Sequence, residues 1–455
     1  MGRDCSGSVV GRQPLNQSGK KLFRRKLFWL NPVGLEAGTK LCDLTQFYSP
    51  HGGGVKRYLL EKVAYIDRMG TDDHVVIIPG PRTECVRQGR SRIYTIRSPR
   101  SGYGARYRIM VNMGRIKDIL MEEKPGLIEL GDPYHVAWAA LRYARQQHIP
   151  VIGFYHSNFP EAYVRTCTKF LGSFMARRAE AFAENYVRCL YNRMSRTLVP
   201  SPELRELLIS WGVTNTVEVS LGVDAKTFCP EAGDRAGLCR KFNIDPNRCI
   251  LLYVTRLSRE KNVQTLLEAF KLLQTSTGGA RLDIPPPPQT VAVGSRQNRA
   301  VVKDSPRIPS GYHLIIVGDG PLRGLVQETA RETGALTWLH YIQDKNELAG
   351  LYASADLFVH PGVMETFGLA ALESQACGTP VVGIRGSRLD RIIFSGFQYW
   401  ARQNTPADLA FAIETICRRD LVQLGAEARA GVVEKFSWDS VFNHLFEIYR
   451  DTAPL

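Results

Sequence analysis

Two successive blocks of short apolar runs, each alternating with helical patterns, constrain this 455-residue chain more than any other feature. In the first block, runs that read as strands fall at Lys40–Gln46, His74–Pro79, Arg92–Arg97, Leu127–Leu130, Val151–Tyr155 and Thr197–Pro200. Helical patterns lie between most of them, clearest in Lys56–Ile66, where apolar residues recur about every 3.6 positions. A second block opens near Val217, with strands expected at Cys249–Thr255, His313–Val317, Trp338–Ile342, Asp356–His360 and Pro380–Ile384. Within it, Asn262–Gln274 puts Val263, Leu266, Leu267, Phe270 and Leu273 on one side of a helix. Alternation of this kind predicts parallel sheets with helices on both faces. Right-handed crossovers then gather the loops that follow the strands along one edge, where ligands bind. The fold class expected is α/β, two domains in series with a cleft between them.

The remaining segments frame those blocks. Residues 1–36 are polar and basic and read as a disordered tail. Residues 276–310 hold four consecutive prolines and read as a long exposed loop inside the second block. Trp438–Thr452 reads as a last helix with Ser437 as its N-cap. No run of about eighteen apolar residues occurs, so no spanning helix is expected, and the basic N-terminus lacks the apolar core of a signal peptide. Ten cysteines are scattered singly with no Cys-x-x-Cys, which predicts reduced thiols in a cytoplasmic protein. A net charge of +15 draws a protein to polyanions, so phosphorylated ligands and an anionic membrane surface are expected partners. Nucleic acid is not, because no recognition motif for it is present. Two basic segments interleaved with apolar and aromatic residues fit lipid contact: Lys20–Leu30, and Phe159–Arg196 with Arg165, Lys169, Arg177, Arg178, Arg188, Arg193 and Arg196. A tail laid on the surface and the outer faces of ordinary helices are the alternatives.

The stretch from His360 to Glu373 leaves an apolar run, turns at Gly368 and enters a helical pattern over Leu369–Cys377. A strand feeding a helix through such a turn leaves free N–H groups at the helix start, which favour an anion such as phosphate. Glu365 before the turn and Glu373 inside the helix are poor phosphate ligands but good acceptors for sugar hydroxyls. Together they predict a ligand with phosphate and polyol parts; the other reading is a plain connection with two solvated glutamates. Gly52-Gly53-Gly54 allows close backbone approach to a ligand in the first block, or makes a hairpin with none. It lacks the spacing of a dinucleotide fingerprint. Arg256 and Lys261 stand at the ends of the loop after Val254, placed either to converge on one diphosphate or to face solvent. Gly318-Asp319-Gly320-Pro321 is a tight turn with room for a flat ring or ribose. His156 shares that loop edge and suits a sugar hydroxyl, a transition state or a purely structural bond. No Ser-His-Asp order, metal cluster or Walker loop supports a hydrolase, metalloenzyme or ATPase.

In order and spacing these residues resemble the retaining glycosyltransferases of the GT-B fold, family 4, from about Lys40 to Tyr449. The most specific element is the family's pair of glutamates eight positions apart, here Glu365 and Glu373, continuing into Ala376-Cys377-Gly378-Thr379-Pro380. Gly52-Gly53-Gly54-Val55, His156, Leu221-Gly222-Val223-Asp224, Arg256 with Glu260-Lys261-Asn262, and Gly318-Asp319-Gly320-Pro321 are the supporting matches. The resemblance implies two Rossmann-like domains. Residues 37–217 would take the acceptor, residues 218–430 the nucleotide sugar, and the helix within residues 431–455 would pack back on the first domain. It implies that Arg256 and Lys261 bind the donor diphosphate and Glu373 the ribose hydroxyls. Glu365 and the backbone of Phe367, Gly368 and Leu369 would hold the sugar, Gly53 would lie near the leaving phosphate and His156 near an outer sugar hydroxyl. No cofactor and no essential metal are implied: the nucleotide-diphosphate sugar is a co-substrate, and the two cations stabilise its leaving group. Attack from the same face, with retention, is also implied.

The expected reaction moves a hexose to a lipid or glycan acceptor at the inner face of a membrane. Tyr155-His156-Ser157-Asn158-Phe159-Pro160 is similar to the lipid- and mannose-directed branch and favours GDP-mannose, with a UDP-hexose the close alternative. A sugar-nucleotide epimerase and a non-catalytic nucleotide-sugar-binding scaffold are the other readings. Thr255 in place of glycine before Arg256, and Arg385-Gly386-Ser387-Arg388 in place of a Gly-Gly loop, leave the donor open.

Overall fold

The computed structural model describes residues 40–49, 54–70, 73–100, 107–156, 173–276, 309–363, 365, 367–387 and 389–452. The 1–36 tail, Gly53, Ser157–Pro160, Arg165, Lys169 and residues 277–308 of the insert lie outside them.

The first sheet contains β1 (Lys40–Leu44), β2 (Asp73–Gly80), β3 (Glu84–Gln88), β4 (Ser91–Arg97), β5 (Leu127–Leu130), β6 (Val151–Phe154), β7 (Arg196–Val199) and β8 (Thr216–Glu218). Its order is β3-β4-β2-β1-β5-β6-β7-β8, parallel throughout except for the antiparallel edge pair β3–β4. The second sheet contains β9 (Cys249–Val254), β10 (Tyr312–Val317), β11 (Leu336–Leu339), β12 (Leu357–His360) and β13 (Val381–Gly383). Its order is β11-β10-β9-β12-β13, all parallel.

The central strands are covered on both faces, so they read as continuous apolar runs rather than alternating ones. In β9, Ile250, Leu251 and Leu252 are fully buried. The edge β3 carries no such run: Cys85 to Gln88 are exposed, which is why the expected strands omit it. Val217 opens no second block; it sits in β8, the last strand of the first sheet. The strand expected at Trp338–Ile342 starts two residues earlier, because Ala335 and Leu336 make the buried contacts while Tyr341 faces solvent.

Strand order reverses between β1 and β5 in the first sheet and between β9 and β12 in the second. At such switch points neighbouring loops diverge and leave a crevice beyond the carboxyl ends of the strands. Each sheet therefore carries one crevice.

The Trp438–Thr452 helix starts at Ser437, whose Oγ accepts the Ser440 N–H at 3.3 Å, and crosses to the Gly54–Met69 helix of the first domain. Trp438, Phe442 and Phe446 pack there against Tyr58 and Tyr65. Beneath these rings lies a buried polar cluster. Lys62 Nζ donates to Asp43 Oδ1 at 2.7 Å and to the Tyr449 hydroxyl at 2.6 Å, and stands 3.2 Å from Glu129 Oε2. Lys345 spans the two domains as well, 2.7 Å from Glu61.

Candidate active site

The crevice at the β9/β12 switch point opens into the interdomain cleft, where a cavity of about 270 Å³ lies. His156, which follows β6, and Leu221 line it together with Thr255, Lys261, His360 and Glu365 from the second domain. The start of the Leu369–Ala376 helix closes one end.

Local sequence aims each group. After β9 the chain makes one 3₁₀ turn over Arg259–Lys261 and then places Asn262 at φ +57°. The Asn262 side chain donates to the Pro361 carbonyl at 2.9 Å, and the Tyr253 hydroxyl donates to the Lys261 carbonyl at 2.7 Å. Lys261 is thereby fixed with its Nζ 2.6 Å from Glu365 Oε2. His360, the last residue of β12, brings its Nε2 to 3.4 Å from the same oxygen. Burial alone would raise the Glu365 carboxyl, but the His360 contact and the Lys261 ammonium outweigh it and hold it at about 2.

Gly368 precedes the helix at φ +89°, and a Cβ there would meet Leu389 Cδ2 at 2.2 Å, so only glycine fits. The first N–H groups of the helix have no intrahelical acceptor and line the cavity at Leu369 and Ala370. The Phe367 ring turns away into the core against Phe436, leaving its backbone at the cleft.

His156 stacks on Phe154 at 3.9 Å and meets Tyr58 edge-on at 5.5 Å. Burial, reinforced by the Lys62 charge, pushes its pKa down to about 3, so the imidazole is neutral at physiological pH. It can give or take a hydrogen bond without bringing charge to the cleft.

The structure thus brings together His156, Lys261, Glu365, Phe367, Gly368 and Leu369. Three other expected residues lie elsewhere, and Gly53 is outside the described residues, next to Gly54 at the helix start. Arg256 does not converge with Lys261: its side chain is 66% exposed and pairs with Glu260 at 2.6 Å, four positions on. Glu373 is buried behind the cleft, where Arg57 of the first domain forms an ion pair with it and the Tyr352 hydroxyl donates at 3.2 Å. Gly318 does not line the cavity. It sits at φ +140°, where a Cβ would lie 1.8 Å from the Thr255 carbonyl oxygen, so close packing of two strand-end loops accounts for the glycine. Gly318→Ala is expected to destabilise by about 1–3 kcal/mol through backbone strain, read as a lower urea midpoint. An unchanged midpoint would mean the two loops do not pack this way.

Several residues gave no local signal. His360 meets Glu365 only five positions on, and Arg57 acts across the fold. So does Asp132, at the β1/β5 switch point, which accepts from Thr45 Oγ1 at 2.8 Å and from the Phe47 N–H at 3.1 Å.

Residues 52–227 match the family model described as Glycosyltransferase Family 4, and residues 237–430 match Glycosyl transferases group 1. A GDP-mannose-dependent alpha-(1-6)-phosphatidylinositol dimannoside mannosyltransferase of Mycobacterium tuberculosis is 30% identical over 390 residues, which cover 84% of this chain and 88% of that protein. A GDP-mannose-dependent alpha-mannosyltransferase of Corynebacterium glutamicum is 28% identical, with 91% and 90% covered. Among solved structures, sucrose-phosphate synthase from Thermosynechococcus elongatus superposes with a TM-score of 0.65 at 18% identity, covering 91% of this chain and 98% of that one.

Proposed function

We propose, from the premise that this chain belongs to glycosyltransferase family 4 and has the GT-B fold, that it transfers mannose from GDP-mannose to a glycolipid or glycan acceptor with retention. Glycosyl transfer itself follows from family membership; the donor, acceptor and stereochemistry are our reading. The donor is supported by the names of the two mannosyltransferase relatives.

The observation that carries the reading is the Lys261–Glu365 pair beside an uncapped helix start, facing His156 across the cleft. The helix N–H groups and Lys261 suit the departing diphosphate, and Glu365 and His156 suit sugar hydroxyls. A carboxylate held at about 2 and tied to an ammonium is a weak base and a weak nucleophile. That favours same-face attack. The acceptor oxygen bonds to the anomeric carbon as the carbon–diphosphate bond breaks, and the acceptor proton passes to the leaving diphosphate oxygen. Lys261 supplies the cationic stabilisation within the cleft, so no metal is required. Arg256, whose exposed side chain pairs with Glu260, would swing in on donor binding, and Glu373 would reach the ribose if Arg57 releases it.

Among the described residues no helix is long and apolar enough to cross a membrane. The net charge of +15 supports peripheral attachment at an anionic cytoplasmic face. Incubating the purified chain with a panel of labelled nucleotide sugars and membrane extract is expected to give slow hydrolysis of GDP-mannose and label in a lipid fraction, undiminished by a chelator. Folded protein indifferent to every donor would overturn the reading, and use of a UDP-hexose alone would replace the donor.

A further inference from the structure

Cys249 opens β9 at the amino edge of the second sheet, and Cys417 ends the Pro406–Cys417 helix. They stand 168 positions apart in the chain, yet their sulfurs lie 3.3 Å from each other. Both side chains are buried and both are free thiols. A disulfide holds its sulfurs about 2.05 Å apart, so a shift of roughly 1 Å, within reach of side-chain rotation, separates the pair from a bond. The backbone on each side is held. The Cys249 N–H donates to the Gly311 carbonyl at 2.9 Å, and the next N–H, of Ile250, donates to Asp356 Oδ2 at 2.6 Å. Leu409, Ile413 and Ile416 are fully buried on the helix face that carries Cys417.

At its other end the same helix reaches the active site. Asn404, two residues before its first turn, accepts from the Asn262 side chain at 2.7 Å, and Asn262 follows Lys261 directly. The helix has 12 residues, so about 18 Å separate these two anchors. β9 spans a similar distance in 6 residues, from Cys249 to the loop that carries Lys261. The strand with its loop and the helix thus meet at both ends, by a hydrogen bond beside Lys261 and by two thiols at the foot of the sheet. Two other readings of the thiols fail. A metal needs more ligands, and among the described residues no group of three or more His, Cys, Asp or Glu side chains could hold an ion. A nucleophile needs a ready thiolate, whereas the hydrogen bond with Cys417, and burial after it, push the Cys249 thiol well up.

We propose that Cys249 and Cys417 form a reversible redox staple, which a peroxide closes to a disulfide that ties the helix to the foot of β9. One thiol loses its proton and attacks a peroxide oxygen. The O–O bond breaks, leaving a sulfenic acid and water. The second sulfur then attacks the sulfenic sulfur, the S–O bond breaks, and the hydroxyl leaves as water with the second thiol's proton. Two electrons pass from the sulfurs to the peroxide, and a dithiol reductant reverses the step by exchange. The raised Cys249 thiol slows the reaction, and fraying of the helix end admits the peroxide. A closed bond removes freedom from the unfolded chain, the more so the longer the loop it closes, and this loop is long. The staple does not depend on which sugar the cleft transfers.

The test uses the full chain. It is treated with hydrogen peroxide, the remaining thiols are blocked with N-ethylmaleimide in denaturant, and peptides are mapped before and after dithiothreitol. A Cys249–Cys417 peptide pair is expected, lighter by two hydrogen atoms than the two thiol peptides and released by the reductant. The thermal midpoint of the oxidised chain should rise by about 5–10 °C and return on reduction. Cys249→Ala and Cys417→Ala should each abolish the rise, and Cys85→Ala, at an exposed thiol, should keep it. The peptide map is read on the unsubstituted chain, so it stands even where an alanine variant fails to fold. Recovery of both residues as blocked thiols once Cys85 is oxidised, pairing of either with another cysteine, a cross-link that forms only in urea, or a cross-link that leaves the midpoint unchanged would overturn the proposal. No donor or acceptor enters the test, so its outcome and that of the donor reading are separate.

Discussion

Glu365→Gln is expected to lower glycosyl transfer by about 10²- to 10³-fold, the loss that follows removal of one preorganised electrostatic contact in a water-poor site. The substitution keeps the shape of the side chain and removes its charge. Lys261, 2.6 Å away, then loses the partner that aims it, and the sugar loses an ionised acceptor. Lys261→Ala is expected to fall as far by removing the other half. The double variant should be little worse than either single one, because both remove the same unit. Some stability should be lost as well: the Glu365 and Lys261 side chains are only 16% and 22% exposed, and leaving one partner of such a largely buried pair uncompensated costs about 1–3 kcal/mol, between the exposed and the fully buried cases. The sign of the pH dependence follows from the lowered carboxyl. Glu365 is held at about 2 against an ordinary 4.5, so its contribution is present above pH 4.5 and is lost as pH falls toward 2. Between pH 5 and 8 neither Glu365 nor His156, itself held down at about 3, should add a limb to the pH–rate profile. Initial rates and thermal midpoints measured together decide the matter. A loss of rate matched by a loss of folded protein would make the pair structural, and full activity in both single variants would remove it from the site.

The parts legible in the sequence were those whose cause is local. A strand covered on both faces must be apolar along its length, so β9 and β12 showed as runs, whereas β3, exposed along one edge, did not. The glycine at 368 was legible because a positive φ at a helix start admits little else. At Gly318 the need for glycine was legible but its cause was not: the neighbour is the Thr255 carbonyl, reached across paired strands. The same limit applies to the charges. Arg256 and Glu260 are four apart and meet within the loop after β9, a short-range pairing that turns the arginine away from Lys261. Glu373 meets Arg57, 316 positions earlier, and no pattern within the helix foretells that partner. His156 stood in the sequence as a lone histidine; its neutrality comes from Phe154, Tyr58 and the Lys62 charge closing around it in three dimensions.

Lys62→Met is expected to destabilise the chain by about 3–5 kcal/mol, because it keeps the volume of the side chain and leaves two buried carboxylates without their cation. Lys62 is fully buried and contacts Asp43 at 2.7 Å and Glu129 at 3.2 Å. Burial pushes both acids up. Lys62 and His74 overcome it at Asp43 and hold that carboxyl at about 2, while Glu129, facing the Asp43 charge, stays raised. Asp43 therefore stabilises the fold above pH 3.8 and loses that contribution as pH falls toward 2. Glu129 acts in the opposite sense: its contribution is full below pH 4.5 and is lost as pH rises through about 7. Without Lys62 both acids bind protons more tightly in the folded state, so the penalty should be larger at pH 8 than at pH 5.5 in urea titrations. Adding Glu129→Gln should recover part of it by removing one of the stranded charges. A loss below about 1 kcal/mol, or one independent of pH, would contradict the cluster as described. Function should follow stability here through geometry. The Tyr449 hydroxyl, which accepts from Lys62 at 2.6 Å and donates to Glu129, belongs to the helix that crosses back from the second domain. Loosening that anchor should raise hydrogen exchange along Trp438–Thr452 and let the two walls of the cleft, His156 on one side and Glu365 on the other, drift out of register, so transfer should weaken even at temperatures where the variant remains folded.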